Sequence, residues 1–114
     1  MNNISVKKTM AAGPEAIGEA IYTRVFGGDG DGWPRYAEFK LHALEVVEAL
    51  TRECVFLRFE YGLWSVKIME EDGGAWCTLG RACNKDFCLA VCEAVLHATN
   101  HAHWGYVKPL KAAP

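Results

Sequence analysis

The feature that most constrains the fold is a pair of apolar segments on either side of Tyr61-Gly62. The segments CVFLRFE and LWSVKIME are rich in β-branched and aromatic residues, and a two-residue connection between them predicts a tight antiparallel hairpin. With that connection, six apolar residues face one another in three pairs: Phe59 with Trp64, Leu57 with Val66, and Val55 with Ile68. Because side chains alternate between the two faces of a sheet, all six are predicted to lie on one face.

A third strand is predicted in the segment AWCTLG, after the turn signal DGG. A Gly73-Gly74 turn places Leu79 on the apolar face, and it places Trp76 and Thr78 on the opposite face. We call that opposite face the mixed face, because it combines aromatic, cationic and polar residues: Phe56, Arg58, Glu60, Ser65, Lys67, Met69, Trp76 and Thr78.

Three segments have the apolar spacing of helices. Pro14 suits a first helical turn and a glycine pair ends the pattern, which predicts a helix over residues 14–26. A second helix is predicted from residue 37 to residue 53. A third is predicted over residues 85–99, with Asn84 as its N-cap. Since this last helix is apolar around most of its circumference, it is predicted to be deeply buried and to cover the apolar face of the sheet.

These elements predict one α+β domain, a small three-stranded antiparallel sheet with the element order α-α-β-β-β-α. Of the 114 residues, 1–12 are predicted to be frayed, 13–99 to form the domain and 100–114 to form a tail. The first residues lack the apolar run of an export signal and no apolar stretch is long enough to span a bilayer. A cytoplasmic protein with five reduced cysteines and no membrane contact is therefore expected.

Four segments of the chain carry a family resemblance. They are AIGEAIYTRVFG, WPRYAEFKLHALEVVEAL, WSVKI and LAVCEAVL, which are distributed over about residues 14 to 98. In this order they resemble the first helix, the Trp-Pro loop with the second helix, the central strand and the closing helix of the phage ABA sandwich domains. Ala37 and Cys88 depart from that pattern, where the family has a Ser or Thr cap and a proline. The resemblance implies helices on both faces of the sheet (an α-β-α sandwich) and a phage origin, and it implies no established catalytic residues.

The segment GGDGDGWPRYAEF, residues 27–39, has a composition found in ligand-binding loops. A calcium loop that starts at Asp29 fails, because Pro34 stands where glycine is required and Lys40 where a bidentate glutamate belongs. A phosphate loop needs a preceding strand and a Lys-Ser/Thr pair, and neither is present. The segment is therefore predicted to connect two helices with Trp33 in the core, and a partner-binding loop is the alternative.

Cysteines and histidines concentrate near the C-terminus. Two cysteines share a helical face and three histidines follow: Cys88, Cys92, His97, His101 and His103. The two cysteines are predicted to be core residues and His101 and His103 to be solvated, so neither a metal nor a cofactor is predicted. Cys83, before a helix N-terminus, is the candidate nucleophile of a Cys-dependent enzyme, but no orienting group or oxyanion donor is identifiable.

The predicted function is therefore non-enzymatic binding. Predicted binding residues lie in the loop, on the mixed face and in the tail: Trp33, Arg35 and Tyr36; Arg58, Lys67 and Trp76; Trp104 and Tyr106. Aromatic residues and arginine are typical of protein interfaces. Two points stay open: whether a helix covers the mixed face, as the sandwich would favour, and whether the tail aromatics dock on the domain.

The sequence is compatible with three functions. The first is a modulator or inhibitor of a host protein, including one of antiviral defence, because the resemblance implies a phage origin. The alternative is a homo-oligomer that sequesters a small, anionic, nucleotide-like ligand, and the third is a Cys-dependent enzyme. The net charge of −2 argues against non-specific binding of nucleic acid.

Overall fold

The computed structural model describes residues 3–29 and 32–104, and it has four helices and one antiparallel sheet in these ranges. In chain order the elements are α1 (Val6–Ala12), α2 (Pro14–Phe26), α3 (Lys40–Ala49), β1 (Cys54–Glu60), β2 (Leu63–Asp72), β3 (Ala75–Asn84) and α4 (Phe87–Thr99). The sheet has the order β1-β2-β3. The predicted α+β class and three-stranded antiparallel sheet are confirmed. Within the described ranges, no helix combines the length and apolarity that crossing a bilayer requires.

The β1–β2 hairpin has the predicted register, in which Phe59, Leu57 and Val55 pair with Trp64, Val66 and Ile68. Tyr61 and Gly62 both have positive φ angles, 54° and 77°, as the two central residues of a type I′ turn require. The alternation of apolar and polar residues in the two strands and the residue types of the turn predict the same strand register. That agreement explains why the hairpin could be predicted residue by residue.

The third strand is longer than predicted and contains a bulge. Ile68 pairs with Gly80 whereas Met69 pairs with Thr78, so Leu79 has no partner on β2. Leu79 is nevertheless only 5% exposed and belongs to the core, as predicted. A bulge lets one strand keep an apolar residue buried while the rest of the strand changes register.

Helix α4 forms the middle layer of the molecule. It packs against β2 and β3 on one side and against α1, α2 and α3 on the other. Accordingly, ten of its thirteen residues are buried. The predicted helix over the apolar face is therefore confirmed for β2 and β3, whereas Leu57 and Phe59 of β1 stay 41% and 58% exposed.

The layering differs from the predicted α-β-α sandwich. Helices α1, α2 and α3 lie on the same side of the sheet as α4. The mixed face is therefore open in the described part of the chain, where Phe56 is 51% and Trp76 53% exposed. The physical reason is the burial of α4 on all sides. Its outward surface is apolar and takes up α1, α2 and α3, which leaves no helix for the mixed face.

The N-terminal segment is ordered as a helix, so the prediction of a frayed stretch over residues 1–12 is wrong for its described part. Ser5 caps α1 by accepting a hydrogen bond from the Lys8 N–H (3.2 Å), and Val6 is buried. Helix α1 contacts α2 and α4. The cap and one buried valine offset the polar composition from which fraying was predicted.

The second helix is shorter than predicted. It begins at Lys40 and ends at Ala49, and residues 36–38 form a turn before it. The turn brings Tyr36 and Ala37 into the core, where both are buried. The helix therefore starts later than predicted, because residues 36–38 form the turn that buries Tyr36 and Ala37.

Helix α4 is capped by Asp86 rather than by Asn84. Asp86 accepts a hydrogen bond from the Leu89 N–H (3.0 Å), and Asn84 accepts one from the Asp86 N–H (2.8 Å). We expect Asp86→Ala to lower the free energy of unfolding by about 1 kcal/mol, because an uncapped helix start loses that much. Asn84→Ala should cost less, since its bond lies outside the helix. Urea unfolding of both variants tests the assignment, and a larger loss at Asn84 would contradict it.

Candidate functional site

The predicted loop residues divide between core and surface. Tyr36 is only 2% exposed and stacks on Phe26 with ring centroids 5.8 Å apart, so its prediction as a surface binding residue is wrong. The apolar pocket formed by α2 and α3 holds this ring, and burial raises the pKa of its hydroxyl well above the usual value. Sequence spacing could not distinguish Tyr36 from Trp33 as the aromatic residue that enters the core.

Trp33 is half-buried and lies against helix α2. A Cβ atom on Gly18 would come within 2.7 Å of Trp33 Cδ1, so the absence of a side chain at Gly18 makes this contact possible. Arg35 is exposed and pairs with Glu38 at 3.2 Å. The loop therefore offers an exposed arginine and one edge of an indole, and residues 30 and 31 lie outside the described ranges.

The mixed face presents a row of three exposed residues across the three strands. Phe56, Lys67 and Arg81 are direct neighbours in register. Lys67 and Arg81 are both cations and no ion pair is seen for either within residues 3–29 and 32–104. Like charges directly opposite each other are destabilising, so this row is a local positive centre that an anionic group would stabilise.

The next row of the mixed face is electrostatically balanced. Arg58 donates to Glu60 (Nε to Oε2, 2.9 Å). Beside it, Ser65 Oγ lies 3.3 Å from Cys83 Sγ. Cys83 is thus an exposed residue inside β3, well before the start of α4, and the helix N-terminus predicted to activate its thiol is not next to it.

The three predicted residues of the mixed face share one surface without converging on one point. A shallow depression of about 450 Å³ contains Arg58 and Lys67 together with Phe56 and Met69. Trp76 is opposite Glu71 at the far end of the hairpin, four residues along β2 from Lys67. At the strand rise this separation is about 13 Å.

Of the two predicted binding residues in the tail, only Trp104 belongs to the described residues. Trp104 is half-buried and packs on the hydrophobic core, so it docks on the domain. Tyr106 lies outside the described residues.

A group of metal-ligand side chains that sequence analysis missed lies at the tip of the β2–β3 hairpin. Cys77 of β3 meets His101 and His103, which follow α4, and the ligand atoms of the three all lie within 4.8 Å of one another. We call these three residues the Cys-His cluster. Two carboxylates adjoin it: Glu70 Oε2 is 3.6 Å from His103 Nδ1, and Asp72 Oδ2 is 3.9 Å from His103 Nε2.

Hydrogen bonding defines the state of His101 in the cluster. The His103 N–H donates to His101 Nδ1 (3.1 Å), so a neutral His101 ring carries its proton on Nε2. Nε2 lies 3.7 Å from Cys77 Sγ and is placed to donate to the sulfur. His101 therefore has a hydrogen-bond partner at each ring nitrogen, the His103 backbone at Nδ1 and Cys77 at Nε2.

The two cysteines of α4 are core residues. Cys88 and Cys92 are buried, and that burial raises the pKa of both thiols above the usual value. A buried thiol behaves as a small apolar group. Their place in α4 is that predicted from the helical pattern.

Comparison with known protein families, curated proteins and solved structures finds no match to this chain. The resemblance to the phage ABA sandwich domains therefore stays a prediction. Function has to be inferred from the open mixed face and from the Cys-His cluster themselves.

Proposed function

We propose that this protein acts by binding another protein through the mixed face of its sheet, opposite a partner surface rich in carboxylates. The observation that carries the proposal is the open face itself. Phe56 and Trp76 are about half exposed there, whereas Tyr36 is buried in the core. Exposed aromatic residues beside arginine are typical of protein interfaces, where both are enriched relative to the rest of the surface.

Charge favours an acidic partner over a second copy of the chain. Lys67 and Arg81 lie side by side at the centre of the face, so two copies that met through it would bring four cations together. A partner carboxylate would instead form a charge-assisted hydrogen bond with either cation. The resemblance to phage proteins makes a host protein, such as one of antiviral defence, the first partner to test.

The size of the face indicates that the contact extends to β1. Three strands give a face of roughly 15 Å by 30 Å, which is less than the roughly 800 Å² that each partner contributes to a standard interface. The edge strand β1 adds Leu57 and Phe59, which are exposed on the other side of the sheet, and Tyr61 in the turn. A partner that covers β1 as well reaches the required area.

The test compares charge reversals on the two sides of the molecule. We expect Lys67→Glu to weaken the complex at least tenfold, about 1.4 kcal/mol, because it replaces attraction by repulsion at the interface centre. Lys7→Glu, an equally exposed residue on α1, is the matched control and should leave binding unchanged.

Affinity purification from host lysate with each variant, followed by a measured Kd for the purified partner, provides the readout. Support requires a protein that wild type and Lys7→Glu retain and that Lys67→Glu loses. Equal retention by all three proteins, or dimerisation of wild type through this face, would refute the proposal.

Sequestration of an anionic nucleotide-like ligand is the second candidate, and the depression beside Arg58 and Lys67 is the observation in its favour. It has less support, because Trp76, the residue predicted to stack on such a ligand, does not line this depression. A thermal-shift panel of nucleotides distinguishes the two functions. A ligand at 100 times its Kd would add about 2.7 kcal/mol of stability.

A further inference from the structure

We propose that the Cys-His cluster, together with a carboxylate of Glu70 or Asp72, forms a zinc site. The site would fasten the turn after α4 to the tip of the β2–β3 hairpin. It is separate from the mixed face and does not depend on the protein-binding function proposed above.

The distance between Cys77 and His101 suits a tetrahedral site. With Zn–S bonds of about 2.3 Å and Zn–N bonds of about 2.0 Å, a sulfur and a nitrogen ligand are about 3.6 Å apart. Cys77 Sγ and His101 Nε2 are 3.7 Å apart. One potential ligand atom from each of Cys77, His101 and His103 lies within 4.8 Å of the other two. A single ion can therefore contact all three residues after small side-chain rotations.

The two carboxylates supply a fourth ligand and a supporting hydrogen bond. His103 has Glu70 next to Nδ1 and Asp72 next to Nε2. When one ring nitrogen binds the ion, the carboxylate beside it is placed to complete the tetrahedron. The other carboxylate then accepts the N–H of the second ring nitrogen, which is how zinc-bound histidines are usually oriented.

Binding releases one proton and requires one local rearrangement. Cys77 would lose its thiol proton to solvent and bind as the thiolate. When His101 coordinates through Nε2, its proton moves to Nδ1, and the His103 N–H has to turn away from that atom. The bond that is lost lies in an exposed turn, and one such hydrogen bond is far weaker than a set of four metal–ligand bonds. Zinc binding can therefore drive this rearrangement.

The ligand set indicates both the metal and its role. A thiolate with two imidazoles favours zinc over magnesium or calcium, which prefer oxygen. Four protein ligands close the coordination sphere, and closed sites are structural rather than catalytic. The ligands come from β2, β3 and the turn after α4, so the ion would join the end of α4 to the sheet.

The test is a titration of untagged, reduced protein with Co²⁺. We expect one equivalent to produce the near-ultraviolet sulfur-to-cobalt charge-transfer band together with the visible absorption of a tetrahedral ion. Equimolar Zn²⁺ should remove both, because zinc binds such sites more tightly. Cys77→Ser should abolish the charge-transfer band, and His103→Gln should weaken cobalt binding at least tenfold.

Two variants serve as matched controls. Cys83→Ser removes another non-core cysteine of β3, and His97→Gln removes an exposed histidine of α4, and both should bind cobalt as wild type does. Circular dichroism checks that each variant is folded. The proposal is overturned if wild type gives no saturable band, or if the band survives Cys77→Ser and disappears with Cys83→Ser.

Discussion

Replacing Gly80 with alanine is expected to destabilise the protein by about 3 kcal/mol, a large share of the 5–15 kcal/mol that folded domains typically have. Gly80 of β3 lies directly under α4. A Cβ atom there would come within 2.2 Å of the Ala94 carbonyl oxygen and 2.6 Å of the Ala98 nitrogen. Both are backbone atoms of a helix, so no side-chain rotation relieves the overlap.

The middle position of α4 increases this cost. The helix cannot move away from β3 without compressing its contacts with α1, α2 and α3 on its other side. Interiors are close-packed, so a shift in one layer is transmitted to the next. The expected result is therefore a loss of stability across the whole domain and not a local adjustment of the sheet.

Urea unfolding of Gly80→Ala against Gly32→Ala measures the effect. A Cβ atom on Gly32 would meet nothing within 4 Å, so that control is expected to stay within about 0.5 kcal/mol of wild type. If the two variants were equally stable, α4 could not rest on β3 as described.

The parts of the fold that could be predicted from sequence depend on local patterns. The hairpin register follows from alternation around Tyr61-Gly62, and α2 follows from Pro14 and the glycine stop at Gly27, which has the left-handed φ of 66°. Burial of α4 follows from its apolar circumference. In each case neighbouring residues carry the whole signal.

The layering and α1 could not be predicted, because they depend on which distant surfaces meet. An all-apolar helix is equally compatible with a sheet that has helices on both faces and with the observed stack. Helix α1 is stabilised by contacts with α2 and α4. Its own sequence, with two lysines and one buried valine, has little amphipathic pattern.

The Cys-His cluster could not be predicted either, because its residues are distant in sequence and meet only in the folded domain. His101 and His103 are close in sequence to the cysteines of α4, and no sequence pattern connects them with Cys77. Because α4 runs back along β3, its C-terminal end returns to the hairpin tip, where Cys77 lies. The sequence does not give the direction in which α4 crosses the sheet, and this direction brings the histidines to Cys77. The His-x-His spacing of His101 and His103 was the one sequence signal that could have indicated a metal site.

Replacing Asn100 with alanine is expected to cost about 3 kcal/mol and to loosen α1 in particular. Asn100 accepts hydrogen bonds from the Ile4 N–H (3.0 Å) and from Arg24 Nη2 (2.8 Å), and its own amide donates to the Ile4 carbonyl (2.8 Å). Two ordinary bonds contribute about 1 kcal/mol each and a bond to a charged donor contributes more.

Arg24 makes this position sensitive. Only 7% of the residue is exposed, and this burial partly desolvates the guanidinium and lowers its pKa. Arg24 also donates to Thr99 Oγ1 (2.9 Å), so the end of α4 holds a cation that α2 brings into the interior. Removing an acceptor from a buried charge costs more than removing one at the surface.

Two matched variants separate the contributions of Asn100. Asn100→Asp keeps the acceptors for Ile4 and Arg24 but loses the amide donor, so it should be destabilised much less than Asn100→Ala. Asn84→Ala removes an asparagine with a single exposed bond and should cost less than 1 kcal/mol, roughly the net value of one hydrogen bond. Urea unfolding gives the three free energies.

Hydrogen exchange tests the specific role in α1, because the Ile4–Asn100 bonds attach the start of the chain to the end of α4. Amide protection in α1 should fall in Asn100→Ala further than protection in the sheet, since local opening no longer requires breaking these bonds. Uniform loss of protection across the chain would contradict this role, because it would mean that Asn100 stabilises the domain as a whole.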